Sequence, residues 1–179
     1  MANSFIRKKK DKEMVDVVDE AGNVLYSILK TETHKNGLLH RTVIGEVRNS
    51  MGDIMVVEQA GDRQDPGQYV NPVGGHVSAG ESEEEALIRE TFEELGLKDV
   101  SYQLVGRAVF NRKVLNRIEN HLFCLYRITT DEDPNLGPEA VSFKWFTKEE
   151  YSKSLKENPE MFGAAHHFVL NKFHSDLPE

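Results

Sequence analysis

Residues 82–96, "SEEEALIRETFEELG", leave the chain little choice but a helix. Ser82 is an N-cap residue, Glu85 three places on completes a capping box, and Gly96 supplies a stop, so the spacing predicts a helix over about 83–95. Seven glutamates stand between Glu81 and Glu94. Like charges three and four apart on a helix repel by roughly 0.2–0.5 kcal/mol per pair, so propensity alone does not explain the choice. Glu90, Glu93 and Glu94 fall at i, i+3 and i+4 and emerge on one face, within reach of a common cation. Leu87, Ile88, Phe92 and Leu95 occupy other directions and are expected to anchor the helix to a sheet.

Around this helix the pattern is strand-rich. "MVDVVDEAGNVLYSIL" reads as a hairpin with Gly22 in its turn, and "KTETHKNGLLH" as a short helical turn or loop stopped at Gly37. "RTVIGEVRN" and "DIMVVEQA" flank "SMG" as a second hairpin. "GDRQDPGQYVNPVGGHV" is mostly loop and ends in a short extended piece before the helix. "YQLVGRAVFNRKV" and "ENHLFCLYRIT" read as two long strands, "AVSFKWFT" as another, and "KEEYSKSLKEN" as the start of a helix. Phe162, Ala165, Val169 and Phe173 recur at helical spacing, which predicts a C-terminal packing helix; His166 and His167 on it read as structural or exposed. The expected organisation is a flexible basic arm over 1–13, with Lys8, Lys9 and Lys10 solvated, and one domain over 14–179.

A net charge of -8 disfavours a nucleic-acid polymer as partner, because that affinity comes from Lys and Arg displacing counterions. A small anionic substrate is compatible if a cation offsets the field locally. Cys124 is the one cysteine, which excludes an internal disulfide and suits a reducing cytoplasm. No apolar stretch of seven or more residues follows the basic start, so neither a signal peptide nor a membrane span is expected there.

The acidic face suits Mg²⁺ or Mn²⁺, hard cations that keep water or phosphate among their ligands. Gly74 and Gly75, just before the helix, let the backbone approach the same ion, and a carbonyl there is a further candidate ligand. Arg89 can pair with Glu81 or Glu93 and hold a ligand carboxylate in one rotamer.

Gly75, Glu81, Arg89, Glu90, Glu93, Glu94 and Gly96 match all seven fixed letters of G-x5-E-x7-R-E-U-x-E-E-x-G-U, the Nudix box. With each residue type near 6% of usage, a chance match is on the order of 10⁻⁸ per starting position. One departure is Thr91, where the pattern has a bulky aliphatic residue. The resemblance implies an α/β/α sandwich on a mixed sheet and hydrolysis of a diphosphate bond, in a nucleoside diphosphate derivative or related small molecule, with Mg²⁺ or Mn²⁺. Carried over, Glu90 and Glu94 would be the principal metal ligands, Glu93 a further ligand or base, and the Gly74 carbonyl would complete the site. Glu93 is the first choice of general base, Glu119 the second and Glu139 the third.

"VDVVDEAGNVL", "THKNGLLHRTV" and "NPVGGHVSAGES" further resemble the branch related to type I isopentenyl diphosphate isomerase. That enzyme needs a cysteine where this chain has Gly74 and an acid where it has His121, so an isomerase is the weakest reading. Its metal ligands match His40, His76 and Glu119, with His121 in place of an acid and His34 matched only across a gap. The resemblance therefore implies a possible second site for Zn²⁺ or Mn²⁺. A competing reading from another class is a Nudix-fold module that binds a nucleotide without cleaving it; such a module is expected to have lost a box glutamate, and none is lost here.

No subgroup mark names the substrate: the first proline after the box is Pro134, too far for the usual ADP-ribose mark, and the coenzyme A and NADH patterns are absent. Tyr69 and Phe110 read as core rather than as base-stacking rings. Arg112, Lys113 and Arg117 read as exposed hairpin charges, with phosphate contact as the alternative. Many relatives are dimers, which makes a homodimer possible.

Overall fold

The computed structural model describes residues 13–174, so the basic run Lys8 to Lys10 lies outside the described residues. In chain order the elements are β1 Met14–Val18, β2 Val24–Leu29, α1 Lys30–Asn36, β3 His40–Arg48, β4 Ile54–Gln59, β5 Tyr69–Val70 and β6 Val73–His76. Then follow α2 Glu83–Leu95, β7 Ser101–Val114, β8 Arg117–Thr129, β9 Ala140–Phe146, α3 Lys148–Glu157, a 3₁₀ turn Pro159–Met161 and α4 Ala164–Phe173. Among the described residues no helix is long and apolar enough to cross a membrane.

Nine strands form one mixed sheet. Its spine is β3, which runs parallel to β8 along its whole length and antiparallel to β6 on its other side. The expected hairpin of β3 with β4 is only partly formed. The two strands share the pairs Val47–Met55 and Arg48–Ile54 and then diverge, β4 passing to β9 and β5. The first hairpin and the long β7–β8 ribbon form as expected.

Strand alternation sorts the core into two layers. On one face Val43, Val47, Cys124, Tyr126 and Ile128 pack with Ala86, Leu87 and Leu95 of α2. On the other, Ile44, Phe123 and Leu125 pack with Phe110 and Val169 of α4. This is the α/β/α sandwich expected. Two anchors assigned to the sheet from the sequence are not buried: Ile88 is 51% and Phe92 49% exposed, while Ala86 and Thr91 at 0% and 1% take their places. The buried positions, Glu83, Ala86, Leu87, Thr91 and Leu95, follow the 3.6-residue period, and the stripe centres on 87, 91 and 95. Phe110 and Tyr69 pack against Phe123 and Phe146 respectively, as core rings.

Candidate active site

Helix α2 begins and ends where its caps require. Ser82 and Glu85 exchange both hydrogen bonds of the capping box, and Gly96 adopts φ 67°. The carbonyls at its C-terminal end, which an isolated helix would leave to water, are met by the loop before β9: Asn135 N–H donates to Leu95 O at 2.8 Å and Gly137 N–H to Glu94 O at 2.7 Å. A Cβ at Gly137 would lie 2.5 Å from the Glu93 carbonyl, so the close approach requires glycine there. Two residues on, Glu139 reaches the acidic face, where its charge acts on both Glu90 and Glu94. Arg63 Nη1 pairs with Glu139 at 2.9 Å.

β6 is the other wall. Gly74 N–H donates to Glu94 Oε2 at 2.8 Å. A Cβ at Gly75 would fall 2.0 Å from Glu90 Cδ and Oε1, so the Glu90 carboxyl occupies the space a side chain at 75 would need. Arg89 ties these parts together, donating to both oxygens of Glu81 at 2.8 and 2.9 Å, to Glu90 Oε1 at 2.5 Å and to the His76 carbonyl at 3.0 Å. Glu93 is 3.9 Å from Arg89 and its side chain is 60% exposed.

These contacts set the charges. Burial pushes Glu81 up, but Arg89 and the Ser78 amide outweigh it and hold it below the usual carboxylate range. Burial raises Glu90, Arg89 offsets only part of that, and Glu93 and Glu139 add to it. Glu94 is raised well above its ordinary value, first by burial and then by Glu90, Glu139 and Glu93, against the single Gly74 hydrogen bond. Two crowded carboxyls that ionise reluctantly, with the charges of Glu93 and Glu139 acting on both, are the oxygen donor set a hard divalent cation fits.

A second group lies on the opposite side of β6. The β3–β8 register sets His40 beside His121, β3–β6 sets Thr42 beside His76, and α1 brings in His34. One ligating atom from each of the four histidines lies within 4.8 Å of all the others. His40 Nδ1 meets the Leu38 carbonyl at 2.8 Å and His34 Nδ1 the Ile118 carbonyl at 3.3 Å, so each can donate there and keep an unprotonated Nε2. His40 Nε2 and His121 Nε2 are buried without a hydrogen-bond partner. Burial pushes all four imidazoles down, His40 to about 4 and His76 and His121 well below the ordinary value. Four neutral nitrogens of this kind suit a borderline-soft transition metal.

Glu119, grouped with these histidines by resemblance, lies close enough for its charge to act on His34 and His40, though the four mutually close ligating atoms are all imidazole nitrogens. The Glu119 carboxylate is held by Arg112 Nε at 2.6 Å and Arg117 Nη2 at 2.6 Å. Burial pushes Glu119 up and the two arginines more than reverse it, keeping it ionised. Arg112 and Arg117 are therefore not free hairpin charges, and only Lys113 is exposed as expected. Arg112 Nη1 also reaches Asp65 at 2.9 Å, a buried acid that sequence reasoning passed over because its loop carries no periodicity. Cys124 is 0% exposed in β8, and burial with Glu83 nearby pushes its thiol up to about 12.

The class that these elements define is an α/β/α sandwich with a capped, carboxylate-bearing helix laid against a glycine-containing strand. A family model described as NUDIX domain matches residues 38–168. The isopentenyl-diphosphate Delta-isomerase of Serratia proteamaculans is 30% identical over 153 residues, 84% of this chain and 85% of its own length. An uncharacterized Nudix hydrolase of Pseudomonas aeruginosa is 30% identical over 146 residues, 80% and 83% of the two chains. The crystal structure of a Deinococcus radiodurans protein superposes with a TM-score of 0.70 at 24% identity, over 90% of this chain and 99% of that one. The chain belongs to the Nudix family and is a Nudix hydrolase, of a family acting on diphosphate-containing substrates.

Proposed function

We propose that this chain hydrolyses a P–O–P bond in a nucleoside diphosphate derivative or related small diphosphate, using Mg²⁺ or Mn²⁺ held by Glu90 and Glu94. Glu93 and the Gly74 carbonyl are the further ligand candidates. The observation that carries the reading is the burial of Glu90 and Glu94 together beside Gly75 and Gly74, with Glu93 and Glu139 near: burial first, then like charge, raises both carboxyls, and a divalent cation would relieve that. When bound, the ion would neutralise phosphate charge and lower the pKa of an attacking water. Arg89 keeps Glu90 in one rotamer while Glu81 keeps Arg89 in place. Glu93, exposed beside the acids, and Glu139, whose charge reaches them, are the groups proposed to accept the proton from water. Glu119, held ionised by Arg112 and Arg117, is ranked after Glu93 and Glu139.

Isomerase chemistry is not part of this proposal, although a relative at 30% identity carries that name. Gly74 offers no thiol, and Cys124, buried and hard to ionise, cannot substitute for one. The test is phosphate and pyrophosphate release from nucleoside di- and triphosphates, nucleotide sugars, dinucleotides and prenyl diphosphates, with Mg²⁺ or Mn²⁺, beside Glu94→Gln. Metal-dependent turnover lost in the variant is expected; a variant as active as the parent overturns the reading.

For the imidazole group we infer a second metal site, for Zn²⁺ or Mn²⁺, on His34, His40, His76 and His121. Its support is the convergence of four neutral nitrogens, two of them without partners. Elemental analysis of the purified chain beside His121→Phe is the check, and equal metal content in both would refute it. A homodimer belongs to the same family-based reading and is tested by light scattering.

A further inference from the structure

Two buried polar side chains and a half-buried one, Asn71, connect the C-terminal helices to the strand that faces the acids. Tyr151 of α3 is 1% and His166 of α4 3% exposed. Tyr151 Oη lies 2.5 Å from His166 Nε2, and His166 Nδ1 lies 3.0 Å from Asn71 Oδ1. Burial pushes His166 down to about 3, so the ring is neutral and carries one N–H. One polarity satisfies all three groups: the tyrosine hydroxyl donates to Nε2, and Nδ1–H donates to the asparagine carbonyl. The sequence reading of His166 as structural describes its burial but not this direction.

The surroundings are largely apolar, with Glu46, Arg48 and His174 lining the small cavity beside the pair. Phe162 stacks on the His166 ring at 5.4 Å, and Ile54, Phe146 and Leu170 fill the layer about Tyr151. Apolar side chains of similar volume would pack there without the desolvation that a phenol and an imidazole cost. What hydrogen bonds add over such packing is a fixed geometry at their far end, which is Asn71.

Asn71 stands where displacement would matter. Just upstream, Gly163 N–H donates to the Tyr69 carbonyl at 2.9 Å, so the start of α4 holds both residues 69 and 71. Downstream comes Pro72, whose ring fixes φ and leaves little slack. Gly74, whose N–H meets Glu94, and Gly75, whose missing side chain admits Glu90, follow within four residues.

We propose that Tyr151, His166 and Asn71 are positioning residues, a neutral chain through which the C-terminal helices set the place of β6 against the carboxylates of α2. The metal readout below rests on the proposed function; the exchange readout does not.

The experiment is hydrogen exchange of the full chain at neutral pH, comparing Asn71→Ala, the milder Tyr151→Phe, and Asn71→Asp, which keeps an acceptor for Nδ1–H. Removing the chain is expected to speed exchange of the Gly74–His76 amides about tenfold or more, with β7 and β8 unchanged and Asn71→Asp close to the parent. Acceleration spread evenly over the sheet, or none at Gly74–His76, overturns the proposal. In parallel, the Mn²⁺ binding that Glu94→Gln abolishes is measured by electron paramagnetic resonance and is expected to weaken by about tenfold in Asn71→Ala. A parent chain with no Glu94-dependent Mn²⁺ binding would refute the proposed Mn²⁺ site on Glu90 and Glu94, and the exchange result would still decide the positioning role.

Discussion

β6 has two sides, and they solve opposite electrostatic problems within four residues. Toward α2 it presents Gly75, whose side-chain space the Glu90 carboxyl fills, while the Gly74 N–H donates to Glu94. Toward α1 and β8 it presents His76, one of four imidazoles. Burial drives both groups toward neutrality, but in opposite directions: it raises the carboxyls, which must take up protons, and lowers the imidazoles, which must give them up. The acidic side is open, with Glu93 exposed, whereas His34, His40 and His121 are all buried. An open oxygen set fits an ion that shares its shell with substrate; a closed nitrogen set fits one that serves the fold. Arg89, on Glu90 and on the His76 carbonyl, is the contact between them.

The largest expected effect lies on the acidic side. Glu94→Gln keeps an acceptor for Gly74 N–H but removes the charge, and should lower kcat on the substrate found by about 10²-fold or more, read from phosphate release. An equal loss from His121→Phe, with folding intact, would break the division of labour between the sides.

Glycine substitutions sharpen it structurally. Gly75→Ala drives a methyl into the Glu90 carboxyl and should cost about 1–3 kcal/mol of stability in denaturant unfolding, as an overpacked site does. Gly74→Ala meets only Ile44 Cδ1, at 3.6 Å, and should cost less than about 1 kcal/mol. Equal costs would mean that Glu90 swings away freely.

Acid and base should pull on the two sides in opposite senses when the chain is kept in chelator. The histidines, lowered in the fold, contribute stability that is fully present above about 6.5 and is lost as pH falls through about 4 for His40. Glu90 and Glu94, raised in the fold, contribute stability that is present below 4.5 and lost as pH rises through their folded values. Thermal midpoints of Glu94→Gln should therefore gain on the parent as pH rises, while those of His121→Phe should gain on it as pH falls. Parallel profiles would show that neither group is linked to folding.

The smallest effect is behind the helix. Thr91 is 1% exposed and its hydroxyl has no hydrogen-bond partner. Thr91→Val, which restores an aliphatic group to the box, should stabilise the chain by about 1 kcal/mol and leave turnover unchanged.

Much of the acidic side was legible because it is local. Caps, i+3 and i+4 spacing and paired glycines all sit within residues 74–96, and the structure places them as the spacing implies. Ile88 and Phe92 were misplaced because periodicity gives the width of a buried stripe but not its centre, which the sheet decides. The imidazole side depends on register between strands far apart in sequence, so His34, whose nitrogen joins the other three, had only a gapped match. Glu139 ranked third because nothing around it in sequence shows that Gly137 docks on the last turn of α2.

Position 74 differs from position 75 in one respect. A methyl there would meet only the end of Ile44, at 3.6 Å. The strand can therefore take on a first side-chain carbon at 74 as it stands, whereas at 75 the same carbon would displace the Glu90 carboxyl. Of two adjacent glycines, one is required by the acid beside it and the other leaves the backbone free to carry a substituent.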